Sequence, residues 1–248
     1  MLPSPKTTAD PKEIDKFSKT SEEWWNPEGK FAPLHQFNPT RLTYIRNQIC
    51  NHFDLDSRSL YPLKGLKILD VGCGGGLISE PLARMGASVM GIDASKKNIE
   101  VALSHAKRSK LEINYKICSP ENIIKKRNKF DVVVALEVIE HVSNQDLFIK
   151  SCAKLVNEKG TIFLGTLNRT PKSFLLGIIG AEYIMGWLPI GTHSWNKFVK
   201  PSELASQLQA SDVSVNDIAG FSYSITKNKW FISRDVSVNY ILFGSKIN

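Results

Sequence analysis

The chain has 248 residues, 42% of them hydrophobic, and a formal net charge of +8 at pH 7. That composition is ordinary for a globular protein and admits one large domain or a domain with elaborations; no stretch is long and apolar enough to span a bilayer. Four cysteines (Cys50, Cys73, Cys118 and Cys152) form no C-x-x-C pair, which excludes a disulfide framework or a zinc site and points to free thiols in a reducing compartment.

Met1 to Pro11 holds three prolines and reads as loose. Met1 to Asp15 carries charge and no apolar core, so it does not read as a secretory signal. Lys12 to Trp25 reads as a helix with Ile14, Phe17, Trp24 and Trp25 as its apolar points, broken by Pro27-Glu28-Gly29. A second helix starts at Asn38-Pro39, with Asn38 as N-cap and Pro39 at the first helical position. Leu42, Ile45, Ile49 and Phe53 fill its apolar face. Residues 1–60 therefore read as a helical extension ahead of a main domain over 61–248.

An alternation of strands and helices follows. Leu66 to Val71, Ser88 to Asp93, Ile113 to Ile117, Phe130 to Leu136 and Thr161 to Thr166 read as strands. Helices are expected over Gly76 to Met85, from Ser95 to about Lys107, and over Asn144 to Val156. Val132-Val133-Val134-Ala135 suits burial on both faces of a sheet. The pattern predicts an α/β fold with a doubly wound, mostly parallel sheet. The rhythm stops at an apolar insertion near 170–200, where Ser173 to Pro189 has Glu182 as its only charge. A helix from Pro201 and two late strands, Val213 to Ile218 and Val236 to Phe243, fit an antiparallel pair at one sheet edge. The densest basic run, Lys125-Lys126-Arg127 with Lys129, has no neighbouring aromatics and reads as a surface loop rather than a nucleic-acid platform.

The first strand runs into Asp70-Val71-Gly72-Cys73-Gly74-Gly75-Gly76, and the second ends in Asp93. Glycine lets the turn reach positive φ and lets a ligand lie against the backbone. A dinucleotide fingerprint needs G-x-G-x-x-G around a pyrophosphate, but here Leu77 occupies the last glycine position. Asp70, Gly72 and Gly74 are candidate cofactor residues, because a carboxylate before the turn suits an ammonium group better than a phosphate. Asp93 is placed to accept hydrogen bonds from ribose hydroxyls. The D-x-G-x-G-x-G pattern resembles the S-adenosylmethionine site of class I methyltransferases. Cys73 reads as a small lining side chain, not a nucleophile.

Leu136, at the end of the fourth strand, would flank the cofactor. Beyond it Glu137, Glu140 and His141 fall at i, i+3 and i+4, so one helical turn would put them on one side. Two carboxylates and an imidazole suit Mg²⁺ or another divalent cation. The other reading makes His141 a general base with no metal. Base and glutamine N-methyltransferases carry [DN]-P-P-[FY] at this strand end. Leu-Glu-Val-Ile stands there instead, which weighs against a nucleic-acid substrate.

With these pieces placed, the chain resembles the O-methyltransferases of ubiquinone biosynthesis. The residues that carry the resemblance include Trp24-Trp25, Phe31-Ala32-Pro33-Leu34-His35, Asn38-Pro39-Thr40-Arg41-Leu42-Thr43-Tyr44-Ile45, the glycine turn, Glu137-Val138-Ile139-Glu140-His141-Val142, Thr166-Leu167-Asn168-Arg169, Gly180-Ala181-Glu182-Tyr183-Ile184, Gly191-Thr192-His193 and Asp235-Val236-Ser237-Val238-Asn239-Tyr240. The resemblance implies a seven-stranded, Rossmann-like sheet and two O-methylations of polyprenylated phenols or quinols, one early and one terminal. It implies cofactor contacts at Arg41, Gly72, Asp93 and Leu136, and a divalent metal on Glu137, Glu140 and His141. A guanidinium at Arg41 suits the methionine carboxylate. A polyprenyl substrate partitions into lipid, so residues 173–189 are expected to dock on an anionic membrane surface, at the inner face of the membrane of a cytoplasmic enzyme. The resemblance also admits a ubiquinone-biosynthesis complex as partner. Asn168 and His193 are further polar candidates on the acceptor side. The alternatives are another small-molecule O- or C-methyltransferase, or a non-catalytic cofactor-binding protein at the membrane surface.

Overall fold

The structure, a computed structural model, describes residues 7–126, 128–176, 194–224 and 226–247. Its described helices are α1 (Pro11–Ser18), α2 (Ala32–His52), α3 (Ser79–Arg84), α4 (Lys96–Arg108), α5 (Pro120–Ile124), α6 (Gln145–Leu155), the single-turn α7 (Pro171–Ser173) and α8 (Pro201–Gln209). The strands are β1 (Lys67–Val71), β2 (Ser88–Asp93), β3 (Asn114–Ile117), β4 (Phe130–Leu136), β5 (Val156–Leu167), β6 (Val213–Ser224), β7 (Lys229–Ser233) and β8 (Asn239–Lys246).

Among the described residues these strands form one sheet in the order β3-β2-β1-β4-β5-β8-β6-β7. The first five run parallel, while β8 joins β5 antiparallel and β6 and β7 follow antiparallel. The chain leaves β1 toward β2 and β3, then returns to β4 on the other side. The carboxyl ends of β1 and β4 therefore flank the crevice where open α/β sheets bind ligands. The doubly wound architecture is as read from the sequence. The sheet has eight strands rather than seven because Lys229 to Ser233 pairs on the outer side of β6.

The central strands are buried on both faces, with Ile68, Leu69 and Val132 to Ala135 nearly sealed from solvent. Each such aliphatic side chain contributes about 1.5–3 kcal/mol relative to leaving it exposed. One apolar layer joins the sheet to α6 and α8 through Phe148, Ile149, Leu204 and Leu208. The other joins it to α2 through Ile45 and Ile49. The Ser95 side chain caps α4 by accepting from Asn98 N, and the Asn144 side chain caps α6 by accepting from Leu147 N.

Two N-terminal elements differ from the sequence reading. The helix expected over Lys12 to Trp25 stops at Ser18, and Ser21–Glu23 forms a separate 3-10 turn. That break lets Trp24 and Trp25 fold back onto the glycine turn. Asn38 is not an N-cap, because α2 begins six residues earlier, at Ala32, and runs through Pro39. A proline inside a helix costs about 3 kcal/mol, offset here by burial of Leu42, Tyr44 and Ile45 on the same stretch. The Asn38 side chain serves Arg41 instead of the backbone.

Candidate active site

A cavity of about 1040 Å³ lies at the carboxyl ends of β1, β2 and β4. Arg41, Asp70, Gly72, Gly74, Asp93, Leu136, Glu137 and His141 all line it. Glu140 does not. Its floor is the turn after β1, where Gly72 and Gly74 have φ of +71° and +52°. A Cβ at Gly72 would come within 2.4 Å of Val138, and one at Gly74 within 2.4 Å of Trp24. Glycine is therefore required at both by backbone conformation and by close approach.

Two tryptophans hold this turn from above. Trp24 stacks on Phe31 at 3.9 Å between ring centroids and donates from Nε1 to Asn98 Oδ1 at 3.0 Å. Trp25 donates from Nε1 to the Gly75 carbonyl at 2.8 Å and stacks on His105 at 3.5 Å. His105 is in turn anchored on the buried Glu80 carboxylate at 2.6 Å. The tandem Trp24-Trp25 was the sequence signal for this latch, but nothing local specified its target.

Asp93 ends β2 with both oxygens engaged: Oδ2 accepts from Gly74 N at 3.0 Å and Oδ1 from Ser95 N at 2.7 Å. Burial raises its pKa, and the two backbone bonds oppose that rise. An ionised carboxylate has further lone pairs to offer a ligand. Asp70 is only 3% exposed, and its Oδ2 accepts from Ser79 Oγ at 2.5 Å. Burial pushes it up to about 7, against the pull of that hydroxyl. The buried Cys73 thiol also lines the cavity and is pushed well above its ordinary range by burial, which suits a lining group.

Arg41 is 2% exposed. Asn38 Oδ1 accepts from its Nε and Nη2, Glu137 Oε1 accepts from Nη1 at 2.9 Å, and Phe37 lies under the guanidinium at 4.3 Å. Burial lowers its pKa, with Glu137 foremost among the groups that oppose the shift. A guanidinium nonetheless stays charged in proteins.

The grouping expected of Glu137, Glu140 and His141 does not form. Glu137 sits at φ +57° with its N–H donated to Gly165 O, and only then does the Ile139–His141 3-10 turn begin. Glu137 faces Arg41 and lies beside Glu140, whose carboxyl turns inward, whereas His141 faces α1. Glu140 is 2% exposed, with Oε2 accepting from Thr166 Oγ1 at 2.7 Å. Its Oε1 has no hydrogen-bond partner among the described residues. Burial, then the neighbouring charge of Glu137, push this carboxyl well above the usual carboxylate range. Among the described residues no three His, Cys, Asp or Glu side chains are grouped to hold a metal ion. The trio as placed does not fit a divalent metal.

His141 lines the cavity, and its Nδ1 lies 3.1 Å from Glu13 Oε2 on α1. Phe17 meets the imidazole edge-on at 4.9 Å. Glu13 is held below its ordinary pKa, chiefly by the hydrogen bond with His141, with Lys16 and Lys197 assisting and burial opposing. Sequence reasoning missed Glu13, because its partner lies 128 residues away.

The other side of the cavity is apolar and comes from distant segments. Phe37 packs on Phe221 and Trp230, at 5.3 and 4.5 Å between centroids, and Leu34, Leu167 and Leu176 join them along the wall. Lys172 and Asp235 pair at 2.6 Å on the same lining. Asn168 does not line the cavity; its side chain donates to Val236 O at 2.8 Å and ties down the entry to β8. His193 and residues 177–193 of the apolar insertion lie outside the described residues.

A family model described as a methyltransferase domain matches residues 69–164. The ubiquinone biosynthesis O-methyltransferase of Pelagibacter ubique is 55% identical over 230 residues, covering 93% of this chain and 95% of that protein. The protein of the same description from Bartonella bacilliformis is 50% identical over 247 residues, covering 100% of both. Among solved structures, magnesium protoporphyrin IX methyltransferase from Synechocystis with bound SAH has a TM-score of 0.65 at 20% identity, with 94% of each chain covered. This last likeness concerns the fold.

Proposed function

The chain belongs to the ubiquinone biosynthesis O-methyltransferase family and is an S-adenosylmethionine-dependent O-methyltransferase acting on a quinone precursor, and we propose that its cavity seats cofactor and acceptor in two distinct halves. The observation that carries this reading is the convergence of Arg41, Asp93 and the glycine turn on one cavity with an apolar far wall. That donor set fits the cofactor: a carboxylate for a ribose diol, a guanidinium for a carboxylate, and a turn with no side chains where a nucleoside must lie close. When bound, S-adenosylmethionine supplies a methyl group already activated on a sulfonium.

The protein's own tasks are then positioning, drying and proton removal. Asp93 holds the ribose, Arg41 the methionine carboxylate, and Leu136 flanks the cofactor. Asp70 braces the turn through Ser79. Trp24 and Trp25 keep the glycine turn closed against bulk water. The neutral oxygen of a phenol is a poor nucleophile, since a phenol's pKa lies near that of tyrosine, about 10. His141, oriented by Glu13, takes the phenolic proton, and the imidazolium formed is stabilised by that carboxylate. Phe37, Phe221 and Trp230 seat the aromatic ring and the start of its prenyl chain. No step is assigned to a metal.

Access to a polyprenyl substrate motivates the membrane reading. Among the described residues no helix is long and apolar enough to cross a membrane. Phe174, Leu175 and Leu176, at the start of the apolar insertion, are 43, 55 and 50% exposed, and Leu176 lines the cavity. We assign this edge to a peripheral contact with the membrane's inner face, aided by the net positive charge. The test of the whole reading is transfer of labelled methyl from S-adenosylmethionine to a short-chain demethylated quinol. The expected result is an O-methylated quinol formed in EDTA-treated buffer. Cofactor binding without transfer would favour the non-catalytic alternative.

A further inference from the structure

Glu137 is not gathered with His141, and although it neighbours Glu140 its carboxylate pairs with Arg41. Three carboxylates face the cavity from the ends of β1, β2 and β4. Asp70 is shut away and held by Ser79. Asp93 accepts from Gly74 N and Ser95 N and turns its remaining lone pairs to the ribose end. Glu137 alone of the three is paired with a cation, Arg41, and its side chain keeps 28% exposure where that of Arg41 keeps 3%. The chain places Glu137 there through a left-handed backbone that a β-carbon disfavours, pinned by the bond to Gly165 O. Arg41 is equally constrained, by Asn38 on two nitrogens and by Phe37 beneath. Three of its five N–H donors are engaged in these bonds and the one to Glu137, which leaves two for a ligand.

An amino acid carries its carboxylate and ammonium on one carbon. We infer that Arg41 and Glu137 form a receptor of reversed charge for that zwitterion, in which Arg41 takes the α-carboxylate of the cofactor's methionine part and Glu137 accepts hydrogen bonds from its α-ammonium. The inference rests on the cofactor reading above and gives Glu137 a role in binding rather than in metal ligation. The empty receptor is neutralised by its own ion pair, so a buried guanidinium is never left uncompensated. The ligand's two charges then extend the pair into a four-charge cluster.

The test is calorimetry in EDTA with S-adenosylhomocysteine and with its analogue lacking only the α-amino group, on wild type and Glu137→Gln. The substitution keeps shape and removes charge. The expected result is an affinity for S-adenosylhomocysteine lowered about tenfold by Glu137→Gln, with the deaminated analogue bound equally, within about twofold, by both proteins. Equal S-adenosylhomocysteine affinity in both proteins would overturn the proposal while leaving the cofactor site standing. An equal loss for both ligands would also overturn it, since damage to Arg41 would then be the cause. Absence of binding to wild type would sink the cofactor reading and the proposal together.

Discussion

The two halves of the cavity are built on opposite plans. On the cofactor half, side chains are held by directed bonds to backbone: Asp93 to Gly74 N and Ser95 N, Trp25 to Gly75 O. Positions there are specified closely, and a glycine cannot become alanine at Gly72 or Gly74 without a 2.4 Å contact. On the acceptor half, Phe37, Phe221 and Trp230 contribute area and shape, with few polar anchors. The difference matches the proposed ligands. A small zwitterion and a ribose diol are recognised by hydrogen bonds, whereas a prenylated ring is recognised by dry apolar surface. His141 sits where the halves meet, on the cofactor-side strand end but gripped by the N-terminal helix.

Perturbing one half at a time would break or sharpen that contrast. The largest effect is expected from His141→Ala, which should slow transfer about 10²- to 10⁴-fold while leaving S-adenosylhomocysteine affinity within about twofold. Single-turnover rates and calorimetry together check this, and a parallel loss of affinity would merge the two halves. Asp93→Ala should weaken S-adenosylhomocysteine by about 100-fold, the effect of losing charged hydrogen bonds to a diol; unchanged affinity would remove the ribose assignment. Next comes the paired substitution Phe174→Ser with Leu175→Ser, two exposed residues that do not line the cavity. It should cut flotation with anionic liposomes by about tenfold and leave turnover of a short-chain quinol in solution within about twofold. Equal flotation would confine this edge to the acceptor wall.

The smallest effect concerns Asp70. Its carboxyl is raised by burial from 3.8 to about 7, so the folded protein holds a proton that the unfolded chain has already released. The unfolded state binds fewer protons across that window, and stability must fall as pH rises through it. Asp70→Asn removes the titration. Its melting temperature relative to wild type should therefore rise by a few degrees, about 2–4 °C for each kcal/mol, between pH ~4 and pH ~7. A constant difference would mean that the carboxyl is not desolvated.

Much of this arrangement could be read along the chain. The alternation of apolar strands and capped helices predicts the parallel sheet, because local periodicity and local caps such as Ser95 and Asn144 carry that information. The glycine turn and Asp93 follow from the same local logic, since a strand, a turn and a second strand lie within 30 residues. Helical spacing misled at His141, which turns to Glu13 on α1 while Glu137 and Glu140 remain neighbours. The backbone enters at φ +57° and winds as a 3-10 turn, so a period of 3.6 no longer says which side chains meet. It misled again at Asn38, whose residue type favours a cap but whose oxygen is claimed by Arg41 one turn on.

The chain's linear order thus determined the sheet, its switch point and the chemistry of the turn, because those depend on neighbours within a few residues. Tertiary structure decided the pairings: Glu13 with His141, Glu137 with Arg41, Trp24 over Gly74, and Phe37 against Phe221 and Trp230. Each joins segments separated by tens to hundreds of residues. Such contacts are selected by burial and charge neutralisation in the folded interior, and periodicity along the chain carries no record of them.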